Sequence, residues 1–321
     1  MRSRPPITVI LPTYNAMPLL REAAASILAQ TFHDFVLIII DNRSTDDTPC
    51  FLESIADPRV IWITEDKRGG GAALQAGLRL VSSEFTAVMN ADDIAGPTRL
   101  QHQYQYLRDH PNVVLVGSNM RFRIGDGLVS PTPLPATHTR IRRHLLHRSV
   151  AICHPSVMYR TLCARAIGGY RIEGAGQDLD FFLRMSEVGT VQNVSEALIT
   201  YRLEPGSASA SLPSDLQKAH AYAVECTRRR AAREPEPSLE EFAKQWQGRG
   251  RIAQFIEHAR SASARCYRTS VSLRSREKGG RALLMLALAA MFNPCRALLN
   301  IERLAYSCVS AAGSRRGTSQ V

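Results

Sequence analysis

Phe35-Val36-Leu37-Ile38-Ile39-Ile40-Asp41 is six apolar residues in a row closed by one carboxylate. A run without polar alternation predicts a strand covered on both faces, as in a parallel sheet sandwiched between helices. Upstream, Ile7-Thr8-Val9-Ile10-Leu11 is a second such strand, ended by the turn Pro12-Thr13-Tyr14-Asn15. Between the two, Leu19, Leu20, Ala23, Ile27 and Leu28 share one face of a helix, with Asn15 placed to cap it. Downstream, Ser44-Thr45-Asp46-Asp47 supplies a cap and acids for the next helix. A third strand spans 60–64, and Lys67-Arg68-Gly69-Gly70-Gly71 opens a helix through Leu80. A fourth strand, 85–89, runs into Asn90-Ala91-Asp92-Asp93. This rhythm predicts an α/β fold with a Rossmann-like sheet flanked by helices and right-handed crossovers. Ligands of such sheets bind beyond the carboxyl ends of the strands. Thr13, Tyr14, Asp41, Arg68, Asp92 and Asp93 all follow those ends.

The 321 residues are 45% hydrophobic and 21% charged, a globular composition that excludes wholesale disorder. Seven cysteines, an odd number without a Cys-x-x-Cys pair, indicate neither a disulfide framework nor a zinc ribbon. A reducing, cytoplasmic setting is expected. The N-terminal apolar run is too short for a signal peptide, and no stretch reaches the ~18–20 apolar residues of a membrane span.

Charge divides the chain. Of 40 basic and 29 acidic side chains, 19 and 9 fall in residues 213–321, which therefore carry +10 of the net +11. We accordingly expect a catalytic-type α/β domain over 1–212 and an Arg-rich, mainly helical region over 213–321. Ser214-Asp215-Leu216-Gln217 and Ser238-Leu239-Glu240-Glu241 read as capping boxes. The apolar stretch 282–292 suits either a helix packed on the main domain or one lying on an anionic membrane surface, helped by Arg274, Arg276, Lys278 and Arg281. No nucleic-acid-binding module is recognisable, so nucleic acid is not an expected partner.

Two adjacent carboxylates, Asp92 and Asp93, repel unless a cation or donor lies between them. Hard divalent ions take few protein carboxylates and fill their shell with water and phosphate oxygens, so the pair suits a metal–diphosphate site or, equally, a solvated turn. Asp41 could accept a nucleoside hydroxyl or cap a helix. Lys67–Gly71 could bring amides and a guanidinium to phosphate, yet it is neither a Walker A loop nor a dinucleotide fingerprint. Asp178 and Asp180, after Gly174-Ala175-Gly176-Gln177, fall at a helix start, as caps or as a general base on a glycine-rich rim. His144 and His147 read as part of a solvated basic helix.

In order, these pieces resemble family 2 inverting glycosyltransferases with the GT-A fold. The resemblance is carried by 7–15, Ser26-Ile27-Leu28-Ala29-Gln30-Thr31-Phe32, 40–46, Met89-Asn90-Ala91-Asp92-Asp93-Ile94 and Arg99-Leu100. It continues through Cys153-His154-Pro155-Ser156-Val157-Met158, Gly168-Gly169-Tyr170, Gln177-Asp178-Leu179-Asp180 and Tyr201-Arg202-Leu203, covering roughly 7–207. It implies a GT-A-type mixed sheet, a nucleotide-diphosphate sugar and a divalent metal, Mn²⁺ or Mg²⁺. Pro12, Thr13, Tyr14, Asp41, Arg68 and Asp92 match nucleotide-sugar-binding positions, Asp93 a metal ligand, and Asp178 the base that deprotonates the acceptor. Three positions depart from the family pattern: Asn90 for Asp, Gln177 for Glu, and Glu204 where relatives often carry His that reaches the metal. Glu204 is the candidate second metal ligand.

The expected reaction is sugar transfer to a glycan or polyprenyl-diphosphate-linked acceptor, as in cell-surface polysaccharide synthesis, at the inner face of the membrane. A nucleotidyltransferase and a catalytically degenerate sugar-nucleotide-binding subunit are the alternatives.

Overall fold

The computed structural model describes residues 4–124, 127–129, 133–147, 150–174, 176–202, 213–250 and 279–292, with scattered positions between 255 and 269. Four strands, β1 (Ile7–Thr13), β2 (Phe35–Asp41), β3 (Val60–Thr64) and β4 (Phe85–Val88), pair in parallel in the order β3-β2-β1-β4. Helices α1 (Leu19–Leu28), α2 (Thr48–Glu53) and α3 (Gly70–Leu80) make the crossovers. Successive side chains of a strand face opposite ways. Val9, Leu11, Leu37 and Ile39 therefore join Leu20 and Ile27 of α1 in one core, with Leu100 and Leu107 of α4 (Arg99–Asp109). Ile10, Ile38 and Ile40 join Leu74 and Leu78 of α3 in the other. Each such side chain contributes about 1.5–3 kcal/mol on burial, which is why the run needs no polar alternation.

Beyond β4 the sheet becomes mixed. β5 (Ile94–Ala95), β6 (Val113–Ile124), β7 (Gly127–Val129), β8 (Met158–Arg160) and β9 (Thr190–Arg202) complete nine strands in the order β3-β2-β1-β4-β8-β6-β9-β5, with β7 on β6. β8 is antiparallel to β4 and β6, β9 is parallel to β6, and β5 returns antiparallel to β9. α5 (His138–Leu146), a 3₁₀ turn (His154–Ser156), α6 (Thr161–Ala166) and α7 (Gln177–Val188) cover this half.

Among the described residues three helices follow: α8 (Pro213–Ala232), α9 (Leu239–Gln247) and α10 (Gly279–Phe292). The Ser238–Glu241 capping box forms, with Glu241 N donating to Ser238 Oγ at 3.1 Å and Ser238 N to Glu241 Oε2 at 2.8 Å. α8 already begins at Pro213, so Ser214 lies inside it and is not its cap. Tyr222 and Cys226 of α8 and Phe242 of α9 share a buried cluster with Ile172, so these two helices build core with the first domain. Among the described residues, no helix is long and apolar enough to cross a membrane.

Three local expectations are corrected. Asn15 does not cap α1, which starts at Leu19 after Pro18; its Oδ1 accepts from Thr45 N at 2.7 Å instead. The stretch 44–47 puts Asp47 at the N-cap of α2 but without a side-chain cap bond, and Ser44 accepts from Asn15 N at 2.9 Å, so Asn15 and Ser44 stitch the β1 and β2 loops together. His144 is buried, on the apolar face of α5, and not solvated.

Candidate active site

The register of the parallel strands sets Thr13, Asp41 and Thr64 in one row at their carboxyl ends. Thr13 and Asp41 are buried, and Thr13 Oγ1 has no hydrogen-bond partner. A buried hydroxyl left in that state costs free energy, so a ligand atom is a fitting partner for it. Asp41 Oδ1 accepts from Ser44 N at 3.1 Å, and Pro12 pairs with Ile40 one step back. Above this floor Tyr14 is 49% exposed, with the Arg68 guanidinium 5.7 Å from its ring centroid. The loop bearing Arg68 is set by Asn42. Its Nδ2 donates to Glu65 O at 2.9 Å and Lys67 O at 2.8 Å, and its Oδ1 accepts from Gly69 N at 2.7 Å.

The glycines of this loop serve packing. A Cβ on Gly71 would lie 1.8 Å from Ile172 O, and one on Gly69, where φ is +124°, 2.3 Å from Glu173 O. Gly71 N donates to Glu173 O at 2.9 Å, so the amides of Gly69 and Gly71 are taken by the protein and do not cradle phosphate. The Arg68 guanidinium lies over the Tyr14 ring instead.

Asp92 and Asp93 part ways. Asp92 is half-buried, whereas Asp93 is 1% exposed and accepts from Arg202 N at 3.0 Å and Asn90 Nδ2 at 3.1 Å. Burial, with the Asp92 charge beside it, raises the Asp93 pKa well above the ordinary carboxylate value. This turn rests on Arg99, itself wholly buried. Its Nη2 donates to Val88 O at 2.7 Å and Val157 O at 3.2 Å, its Nε to Gln103 Oε1 at 3.0 Å. Burial lowers the Arg99 pKa to about 10, leaving it charged at neutral pH. Glu204 lies outside the described residues. Among those described, no group of three His, Cys, Asp or Glu is placed to hold a metal ion. The donor set fits an ion held by one carboxylate together with a diphosphate, with Asp92 at the accessible position.

Asp178 stands in the first turn of α7 behind Gly176, whose φ of +88° makes the turn. His154 and Tyr170 are its neighbours. Burial lowers the His154 pKa below 6.5, the Asp178 charge pulling the other way, and His154 Nε2 lies 3.2 Å from Tyr170 Oη. The adjacent Cys153 feels the charge of Asp93. Asp180 does neither of the jobs its spacing suggested. It is fully buried and salt-bridged to Arg171 and Arg184. Asn42, Arg99 and His154 are supporting residues that residue-by-residue reading missed; their place inside the recurring sequence motifs was the available signal.

The mixed sheet with flanking helices is that of GT-A glycosyltransferase structures, as comparison with known proteins shows. Residues 8–164 match the glycosyl transferase family 2 profile. The likeness to glycosyl transferase family 2 thus spans just under half of the chain. It is similar to EpsE of Bacillus subtilis, which bears a glycosyltransferase name, with 29% identity over 210 residues, 63% of this chain and 74% of that one. It is also similar to an uncharacterized glycosyltransferase of Haemophilus influenzae, 29% identical over 226 residues, 65% of this chain and 69% of that one. In fold it matches S. aureus TarS 1–349 in complex with UDP-GlcNAc, with TM-score 0.60 and 17% identity over 88% of this chain and 90% of that one. It likewise matches the Pyrobaculum calidifontis mannosyltransferase PcManGT in complex with GDP-Man and Mn²⁺, with TM-score 0.53 and 19% identity, covering 95% and 81%.

Proposed function

We propose that this glycosyltransferase inverts the anomeric centre of a nucleotide-diphosphate sugar, with Asp178 as general base. The observation that carries the reading is the placement of Asp178 at a glycine-made turn, joined to the Arg68 loop through the Gly71 N–Glu173 O bond. Thr13 and Asp41 would hold the nucleoside, with Tyr14 and Arg68 over it. Mn²⁺ or Mg²⁺, held through Asp92 and the diphosphate, would supply Lewis-acid neutralisation of the leaving group. Asp93, the ligand that the resemblance implied, stays a candidate beside Asp92, since each of its oxygens accepts one hydrogen bond, from Arg202 N or Asn90 Nδ2, and keeps a second lone pair. Glu204 is a second ligand in this proposal.

In the reaction Asp178 takes the acceptor hydroxyl proton as its oxygen attacks the anomeric carbon from the face opposite the diphosphate. One in-line displacement inverts the centre, and no enzyme nucleophile is needed. Proton removal of this kind contributes about 10²–10⁴-fold. Asp178→Asn tests it: transfer should fall by that factor while nucleotide-induced thermal stabilisation stays, and near wild-type transfer would exclude Asp178 as base.

The acceptor we propose is a glycan or polyprenyl-diphosphate-linked glycan at the inner face of the cell membrane, in polysaccharide synthesis. The +10 charge of 213–321 and the exposed Leu284, Met291 and Phe292 of α10 support an anionic membrane surface as a peripheral partner. Flotation with anionic vesicles should carry the protein with them at low salt.

A further inference from the structure

The densest charged cluster that the transfer chemistry leaves unused runs along one flank of α7. Asp180 accepts from Arg171 Nη2 at 2.7 Å and Arg184 Nη2 at 2.6 Å. Arg171 Nη1 donates onward to Glu236 Oε2 at 2.6 Å. Arg230 Nη1 donates to the other oxygen of Glu236 at 2.7 Å, and its Nε to Glu187 Oε2 at 2.7 Å. Asp180, Arg184 and Glu187 follow one face of α7 at helical spacing. Arg171 precedes the base turn, Arg230 is on α8, and Glu236 is in the link to α9. Signs alternate throughout, and the chain closes back on α7. Asp180 and Arg184 are buried and the outer members are partly exposed, so removing a partner of Asp180 strands a buried charge, whereas removing an outer member costs less.

This chain fixes where α8 lies. Arg230 meets Glu187 near the end of α7, and Ala219 meets Gly176 just before its start, so the two helices run parallel. A Cβ on Gly176 would lie 2.6 Å from Ala219 Cβ and 3.4 Å from His220 Cδ2. The first turn of α8 therefore extends past the start of α7, by roughly 9 Å at 1.5 Å per residue.

We propose that α8 positions the transferase base: Arg171, Glu236 and Arg230 are positioning residues for the turn carrying Asp178, and Ala219, packed on Gly176, holds that turn from behind. This rests on the reading of Asp178 as the base. It turns the basic C-terminal region, at least through Glu236, from an appendage into a support of the reaction site.

The test uses the full chain carrying Ala219→Leu or Glu236→Gln. The donors are UDP-N-acetylglucosamine, UDP-glucose and GDP-mannose, assayed for hydrolysis by water and for transfer to extracted cell-envelope glycan. Displacing the base turn by about 1 Å should lower kcat by roughly 10²-fold in Ala219→Leu, with donor KM unchanged. Nucleotide-induced stabilisation should also persist, and Ala219→Ser should restore the rate. Glu236→Gln should show the same split at smaller amplitude, with faster amide exchange across 171–178, and it carries the test if Ala219→Leu fails to fold. Unchanged kcat in the folded variants, or kcat falling only together with nucleotide binding, overturns the inference. A wild-type chain that neither turns over a donor nor gains stability from any nucleoside diphosphate would overturn the functional reading itself, and this inference with it.

Discussion

Arg202 N donates to Asp93 Oδ1 at 3.0 Å, tying the end of β9 to a carboxylate 109 residues earlier in the chain. The bond closes the mixed half of the sheet onto the turn that follows β4. It also sets the two neighbouring acids apart: Asp93 is buried with a share in the fold, and Asp92 is half-buried, where we propose that it takes the metal.

Separate substitutions should split these roles. Asp93→Ala leaves Arg202 N without its buried acceptor, at a cost of about 1–3 kcal/mol in urea unfolding. Asp92→Asn should fold normally and lose the metal-dependent part of nucleotide stabilisation. An Asp93→Ala protein as stable as wild type would break this assignment.

Arg99 should be the costliest single loss near the site. Arg99→Met strips a charged donor from Val88 O, Val157 O and Gln103 Oε1 at once. Charged hydrogen bonds are worth about 1.5–3 kcal/mol each, so a loss of at least ~3 kcal/mol is expected. Chemical denaturation measures it, and a loss under ~1 kcal/mol would mean that these carbonyls find other donors.

The docking of α8 and α9 should depend on pH at the acid end. Burial tends to raise the Glu236 pKa, but Arg230 and Arg171 outweigh it and leave it below the ordinary 4.5. A carboxylate with a depressed folded pKa stabilises fully above its unfolded value, and that contribution is lost as pH falls through the folded one. The chain has two tryptophans, and Trp246 packs beside Phe242 on α9. In a Trp62→Phe background its fluorescence should change below pH 4.5, and Glu236→Gln should flatten that change.

The strands were legible because burial on both faces leaves an uninterrupted apolar run, as in β2, and because turns must follow. The candidate site was legible to the same depth, since Thr13, Asp41, Arg68 and Asp92 follow strand ends and Asp178 opens a helix. What stayed hidden depends on partners distant in sequence. Asp93 turns inward because Arg202 arrives to meet it, and Gly71 is needed because Ile172 O passes close by. Asp180 looked like Asp178 until Arg171 closed on it, although Arg184 at i+4 was visible in the sequence. Asn15 and Ser44 are good caps in isolation, but here each finds the other's loop.

In the function proposed, the strand ends and Asp92 form a nucleotide-diphosphate and metal site. Thermal unfolding of the full chain with UDP, GDP, dTDP or CDP, each with and without Mn²⁺ or Mg²⁺, tests it most directly. Ligand at 100 times its dissociation constant stabilises by about 2.7 kcal/mol, enough to read. The account predicts a metal-dependent rise in Tm with one nucleotide class, lost in Asp92→Asn. Folded protein that shows no shift with any nucleotide, with or without metal, would contradict it.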